Sequence, residues 1–296
     1  MLFPLYVTIT VCVLNAIGDL GLGLGWFGFP ELGYSGLAWS TFFSLLGGAL
    51  LSLVMLARRG ILNKKSFACQ RWNKAALPYL VKVAWPSASL QLAWNLSYMV
   101  LLAIVAALPQ GNVDALAGMS AGMRIESMLF LPGAAFNLIC SILVGHYLGA
   151  GQEKEARTIG YQIIFIGVVL VCFIGIVLWI YRQPVIAFLC PQTEVQVIAT
   201  DYLRYNMLAL PFMQITITIG GAFAGAGATL YQMGIVGCSA WFIRLPLAWW
   251  MGHVLLGSAT GIWISMLVSQ IAQCALTTYF YHFGNWPRFA QRKIKS

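Results

Sequence analysis

Apolar runs long enough to cross a bilayer, about 20 residues each, recur along this chain at roughly 3–25, 33–57, 77–108, 115–148, 159–190, 195–226, 231–256 and 258–282. Runs of this length leave little choice of fold. Lipid cannot satisfy exposed backbone groups, so only helices and closed barrels span a membrane. Period-two alternation between short turns, the mark of a membrane barrel, is absent. With 60% hydrophobic and only 8% charged residues, the chain lies far from soluble proteins, in which about a quarter of residues are charged. The expected fold is an all-α integral membrane protein with about eight transmembrane helices.

The net charge of +9 would suit a nucleic-acid partner only if the bases shared a face, and they do not. Arg58, Arg59, Lys64, Lys65, Arg71 and Lys74 fill the one long polar connector, Lys154 and Arg157 the loop near 152, and Arg288, Arg292, Lys293 and Lys295 the C-terminal segment. The intervening loops near 26–32, 109–113, 182–194 and 257 hold a single base, Arg182. Alternate basic loops are what the positive-inside rule predicts. Both termini and the connector are expected in the cytoplasm, with the lipid bilayer and no nucleic acid as partner.

Chemistry-bearing motifs are few. The seven cysteines include no CxxC pair, so neither a disulfide framework nor a zinc site is expected. His146, His253 and His282 lack neighbours at metal-ligand spacing. "GLGLGWFG" holds a formal GxGxxG at Gly23, Gly25 and Gly28, but a dinucleotide site needs a strand before it and an acid about 20 residues on. It reads as an outer turn. No cluster of His, Asp, Ser or Cys at catalytic spacing suggests an enzyme, and no cofactor is expected.

Small residues at helical spacing, Gly21/Gly25, Gly118/Gly122, Gly145/Gly149 and Gly221/Gly225, permit close helix approach. Pro86, Pro132, Pro211 and Pro246 fall inside apolar runs, where each removes a backbone hydrogen bond and is expected to kink or break its helix. Arg124 and Glu126 stand two apart in an apolar run. Helix neighbours that meet are three or four apart, so the two are expected to face different neighbouring helices, with neither in lipid. "LGYSGLAWS" (32–40) also resembles "LGSATGIWIS" (256–265): Gly36, Leu37 and Ser40 map onto Gly261, Ile262 and Ser265 at an offset of 225. A six-helix repeat is implied, in which the first two spans match the last two.

The stretch "LAGMSAGMRIESMLFLPGAAFNLICSILVGHYLGAGQEKEA" (116–156) resembles the signature of the multidrug and toxic compound extrusion (MATE) transporters, with its Arg-x-Glu, its Pro-Gly and its Val-Gly-x-x-Leu-Gly-Ala-Gly loop. "GFPELGYSGLAWS", "GAFAGAGAT" (221–229), "WFIRLPLAWW" (241–250) and "GIW" (261–263) resemble further elements in the family's order. The resemblance implies twelve helices in two six-helix lobes, of which this chain matches helices five to twelve. The expected division is 1–57, two helices of the first lobe; 58–76, a basic inter-lobe connector; 77–283, a six-helix C-terminal lobe; and 284–296, a basic tail. Helices one to four are expected as a missing N-terminal part.

The resemblance further implies cation-coupled antiport: export of amphipathic, often cationic compounds across the inner or plasma membrane, driven by Na⁺ or H⁺. An intramembrane acid can hold a proton or ligate sodium. The ion-coupling candidates are Asp19 with Asn15, and Glu126. The substrate path is assigned to Gln91, Trp94, Asn95 and Tyr98 on the third span and Tyr205, Asn206, Met207 and Gln214 on the sixth, since aromatic and thioether side chains suit apolar cations. Asp201 and Arg204, three apart, are expected to pair within their helix. Arg244 is expected to bind an acid or helix-end carbonyls of another span, and Arg124 to lock helices together.

Two departures from the family leave the ion unassigned. A seventh-helix glutamate would fall where Trp94 and Asn95 stand, and a tenth-helix acid near Met213 or Gln214. Two alternatives stay open: a truncated or split transporter that is inactive alone, and a lipid-linked saccharide flippase of the same superfamily.

Overall fold

The computed structural model describes residues 2–60, 71–109, 111–189 and 192–289. Expectations that fall on 61–70 of the connector, including Lys64 and Lys65, and on Arg292, Lys293 and Lys295 of the tail lie outside the described residues. The described residues form helices and turns, without a strand. Two compact units result, Met1–Ala76 and Leu77–Ser296.

In the first unit α1 (Leu2–Gly18) runs into a π-helical turn, Asp19–Gly23, and α2 (Gly33–Arg58) returns beside it. Gly25, at φ +73°, ends the first helix in the left-handed region that only glycine enters freely. "GLGLGWFG" is therefore a helix-ending turn, and the strand that a nucleotide site needs is absent from it. Close approach sets the pairing. A Cβ on Gly36 would strike the carbonyl of Leu22, and the Leu32 N–H donates to that same carbonyl at 2.9 Å. Ser40 Oγ donates to the Asn15 carbonyl (3.0 Å) and Asn15 Nδ2 donates to Ser44 Oγ (3.3 Å).

The second unit comprises α3 (Arg71–Ala106) from Leu77 onward, α4 (Asn112–Gly149), α5 (Glu153–Ile180), a short α6 (Arg182–Leu189) that hydropathy did not announce, α7 (Thr193–Gly225), a compound helical run from Thr229 to Leu255, and α10 (Ala259–Phe283). Its axis is the parallel pair α4 and α7, whose contacts advance together from Gly118 against Ile198 to Ser141 against Gly225. A Cβ on Gly221 or Gly225 would strike the carbonyl of Asn137 or Ser141, and one on Gly122 would strike the Tyr202 ring. Lipid offers no hydrophobic drive for this pairing, so contact of backbone on backbone supplies it. Gly149, by contrast, has open space around it.

Among the described residues, seven helices are individually long and apolar enough to cross a membrane. The eighth apolar run, 231–256, is helical throughout but compound: α8 (Thr229–Cys238), a π segment Ser239–Arg244, α9 (Leu245–Trp249) and a second π segment Trp250–Leu255. Pro246 explains the first interruption. Its ring lacks an N–H and crowds the carbonyl four residues back, and the wider turn, in which the Leu245 N–H reaches Ala240 O, gives it room. Pro86, Pro132 and Pro211 instead lie inside helices that continue through them. No break occurs at these three, because one lost N–H leaves the other backbone bonds of a long helix intact.

The sequence repeat extends to the contacts. A Cβ on Gly261 would strike the Met251 carbonyl, as one on Gly36 would strike that of Leu22; Ile262 sits against Gly252 as Leu37 sits against Gly23. Arg244 Nε donates to Ser269 Oγ at 3.0 Å, in the place where Asn15 donates to Ser44. The offset is 225 on α2 and α10 but 229 on the preceding helices. The four-residue difference is absorbed by the turn between the two helices, which is longer in the first unit.

Candidate functional site

A cavity of about 670 Å³ opens within the second unit. Helical spacing selects its lining. Gln91, Trp94, Asn95 and Tyr98 form one face of α3, Met123, Glu126 and Phe130 one face of α4, and Met266, Gln270 and Gln273 one face of α10; Asn206 and Met213 come from α7, and Arg244 from the π segment. Positions three, four and seven apart share a helix face.

Glu126 is the one acid on this wall among the described residues. Its position depends on Gly122, one turn earlier, where the missing Cβ admits the Tyr202 ring. The Tyr202 hydroxyl then donates to Glu126 Oε2 at 2.6 Å, a short charge-assisted geometry if the carboxyl is ionised. Trp263 backs the tyrosine edge-on, with ring centroids 4.9 Å apart.

Arg244 is only 2% exposed. The sequence led one to expect an acid or helix-end carbonyls of another span, but among the described residues neither hydrogen-bonds it. Its Nε donates to Ser269, and its guanidinium carbon lies 4.7 Å from the Trp94 ring centroid and 5.9 Å from that of Tyr98. A desolvated cation–π contact is worth about 2 kcal/mol, and two rings with one hydroxyl replace the expected acid. The rings nominated to receive a substrate's positive charge therefore already hold a cation of the chain itself.

Other assignments change as well. Arg124 and Glu126 do point apart, but Arg124 is exposed on this unit and its guanidinium has no partner among the described residues, so no interhelical lock forms there. Asp201 does not pair with Arg204. It accepts the Thr260 hydroxyl at 2.9 Å, while Arg204 is exposed. Of Tyr205, Asn206 and Met207, only Asn206 lines the cavity, since successive residues turn about 100° around a helix. Tyr205 and Met207 pack against the apolar core. Gln214 is fully buried and donates through Nε2 to Thr218 Oγ1 (3.0 Å). Asn15 and Asp19 belong to the first unit, where Asp19 Oδ1 is buried without a partner among the described residues.

Gln270 and Gln273 were missed. Their Oε1 atoms are buried and unpartnered among the described residues, and polar side chains inside a membrane helix mark function by default. The run "SQIAQ" (269–273) carried that signal. Among the described residues no three His, Cys, Asp or Glu side chains gather as a metal site would require.

The MatE family model matches residues 86–250, from Pro86 of α3 to the second π segment. The chain belongs to the MatE family. It is 27% identical over 290 residues to the probable multidrug resistance protein NorM of Thermotoga maritima, covering 97% of this chain and 61% of that protein. It is 26% identical to the uncharacterized transporter YisQ of Bacillus subtilis, covering 90% of this chain and 58% of the relative. The chain thus spans about three-fifths of the length of these relatives. Among solved structures, a eukaryotic MATE transporter superposes with a TM-score of 0.82 at 18% identity, covering 96% of this chain and 62% of the other. The Vibrio cholerae MATE transporter VcmN in its bent form gives 0.76 at 21%, covering 98% and 63%. These likenesses establish the fold.

Proposed function

We propose that this chain supplies the substrate cavity of a cation-coupled (Na⁺ or H⁺) antiporter that exports amphipathic, often cationic drugs and metabolites across the inner or plasma membrane, with both termini and the basic connector on the cytoplasmic side. The observation that carries the reading is the cavity itself. It is wide enough for a drug-sized ligand, lined by thioethers, aromatics and amides, and furnished with a single described carboxylate. Because Arg244 occupies the faces of Trp94 and Tyr98, Glu126 is the group left to meet a positive charge, whether of the coupling ion or of the substrate.

A lipid-linked saccharide flippase would need several cavity cations for a pyrophosphate, and the described wall offers one, Arg244. The relatives' greater length makes coupled export a proposal about the chain together with whatever segment supplies their remaining two-fifths.

The test is dye efflux from proteoliposomes under an imposed Na⁺ or H⁺ gradient, with the 296 residues alone and with a four-helix complement. Glu126→Gln keeps an acceptor for Tyr202 and removes the charge. Gradient-driven efflux is expected to fall at least about tenfold, which corresponds to 1.4 kcal/mol, with thermal stability nearly unchanged. Undiminished coupled efflux in that variant would overturn the role given to Glu126.

A further inference from the structure

A second cavity in the same unit, of about 630 Å³, is lined by Trp179, Arg182, Asp201, Arg204, Thr260 and Trp263 among others. It lies at the end of the bundle formed by the last turn of α5, the first third of α7 and the start of α10. We propose that it binds a phosphate-bearing anion at the level of the lipid headgroups, a role independent of the transport reading.

The charges favour an anion. Two guanidinium groups face one carboxylate, and that carboxylate is engaged by the Thr260 hydroxyl. Arg182 is held in place: its Nη1 donates to the Trp179 carbonyl at 2.7 Å, and its guanidinium carbon sits 4.3 Å from the Trp179 ring centroid. Its Nε is nevertheless buried without a partner among the described residues, and so is the indole N–H of Trp263, a residue only 1% exposed. Buried donors left without acceptors are costly. Arg204 adds a third set of donors, exposed and without a partner among the described residues.

A planar guanidinium held by stacking matches the oxygens of a phosphate, which can accept several N–H groups at once. A carboxylate, with two oxygens, would leave more of these donors unmet. The start of α10 adds free backbone N–H groups, since Ser258 caps it without a side-chain hydrogen bond, and helix N-termini favour anions. Tryptophans at span ends also mark the headgroup level.

The test uses the full chain in nanodiscs or detergent and follows its tryptophan fluorescence during titration with three probes: dihexanoyl phosphatidylglycerol, dihexanoylglycerol without phosphate, and inorganic phosphate. Saturable binding of the phosphatidylglycerol but not of dihexanoylglycerol is expected. It should weaken about tenfold in Arg182→Gln and in Arg204→Gln, and stay unchanged in Lys154→Gln at the opposite end. Arg204→Gln guards the test against misfolding, because that side chain is exposed and its removal breaks no hydrogen bond or ion pair among the described residues. Saturation by inorganic phosphate alone, with the same arginine dependence, would support the site and identify a soluble ligand. Binding that is indifferent to both arginine substitutions, or no saturable response to either phosphate probe, would overturn the proposal.

Discussion

The pair α1/α2 and the pair formed by residues 239–255 with α10 are built on one plan, yet only the second sits in a core. In both, a glycine lets one helix press on a carbonyl of the other (Gly36 on Leu22, Gly261 on Met251), and a polar side chain bonds a serine one helix away (Asn15 to Ser44, Arg244 to Ser269). Yet 17% of the span in α2 is buried, against 50% of that in its counterpart α10. Identical pairwise contacts thus coexist with very different surroundings. The repeat specifies how two helices meet, and the neighbours decide what the shared polar position is used for: a small amide in the first unit, a guanidinium on a cavity wall in the second.

The sharpest way to break the comparison is to remove that polar position from each pair. Arg244→Leu withdraws a buried side chain from two rings and a hydroxyl, and should lower stability by roughly 2–5 kcal/mol, in the range of large core truncations. Asn15→Leu removes two long hydrogen bonds, to Thr41 and Ser44 (3.4 and 3.3 Å), and should cost about 1 kcal/mol. Thermal and denaturant unfolding of the purified chain measures both, and equal losses would show that the surroundings matter less than the plan.

The glycines offer the opposite expectation. Gly36→Ala and Gly261→Ala each drive a Cβ into a backbone carbonyl that cannot swing away, so both should cost about 1–3 kcal/mol, as overpacking does, and by similar amounts. Unequal costs would mean that the repeat is one of sequence more than of contact. The smallest effect belongs to a glycine outside either pair. Gly149→Ala meets open space at the end of α4 and should change the unfolding midpoint little, by no more than about 0.5–1 kcal/mol and toward greater stability, as Gly to Ala does in a helix.

Much of the fold was written in hydropathy and charge. The spans followed from apolar runs, and three residues, Gly36, Leu37 and Ser40, exposed the repeat before any contact was known. The path residues on α3 were legible because Gln91, Trp94, Asn95 and Tyr98 fall on one helical face. On α7 the same reasoning chose three consecutive residues, and sequence alone could not say which faced inward when every side of the helix is apolar or buried. The partner of Arg244 was illegible for a related reason. A buried cation in sequence asks for an acid, but two aromatic rings and a serine answered, and rings carry no charge to count. The π segments left no trace in hydropathy, since it records side chains and not the register of backbone bonds.

Arg157 joins parts of the chain that are far apart in sequence. From the first turn of α5 its guanidinium donates to the carbonyls of Tyr281, His282 and Gly284 and lies over Trp286. The three carbonyls are 124 to 127 residues further on. At about 5–20 residues per second of synthesis, this arginine waits some seconds in the membrane before its acceptors leave the ribosome. Until then the guanidinium has none of these carbonyls to bind, and the end of α10 has no cation at its exposed backbone. The contact is therefore an assembly checkpoint in time: it closes only after the last described helix has been made and inserted, and a nascent chain stalled before Tyr281 would carry an open basic end that the finished protein conceals.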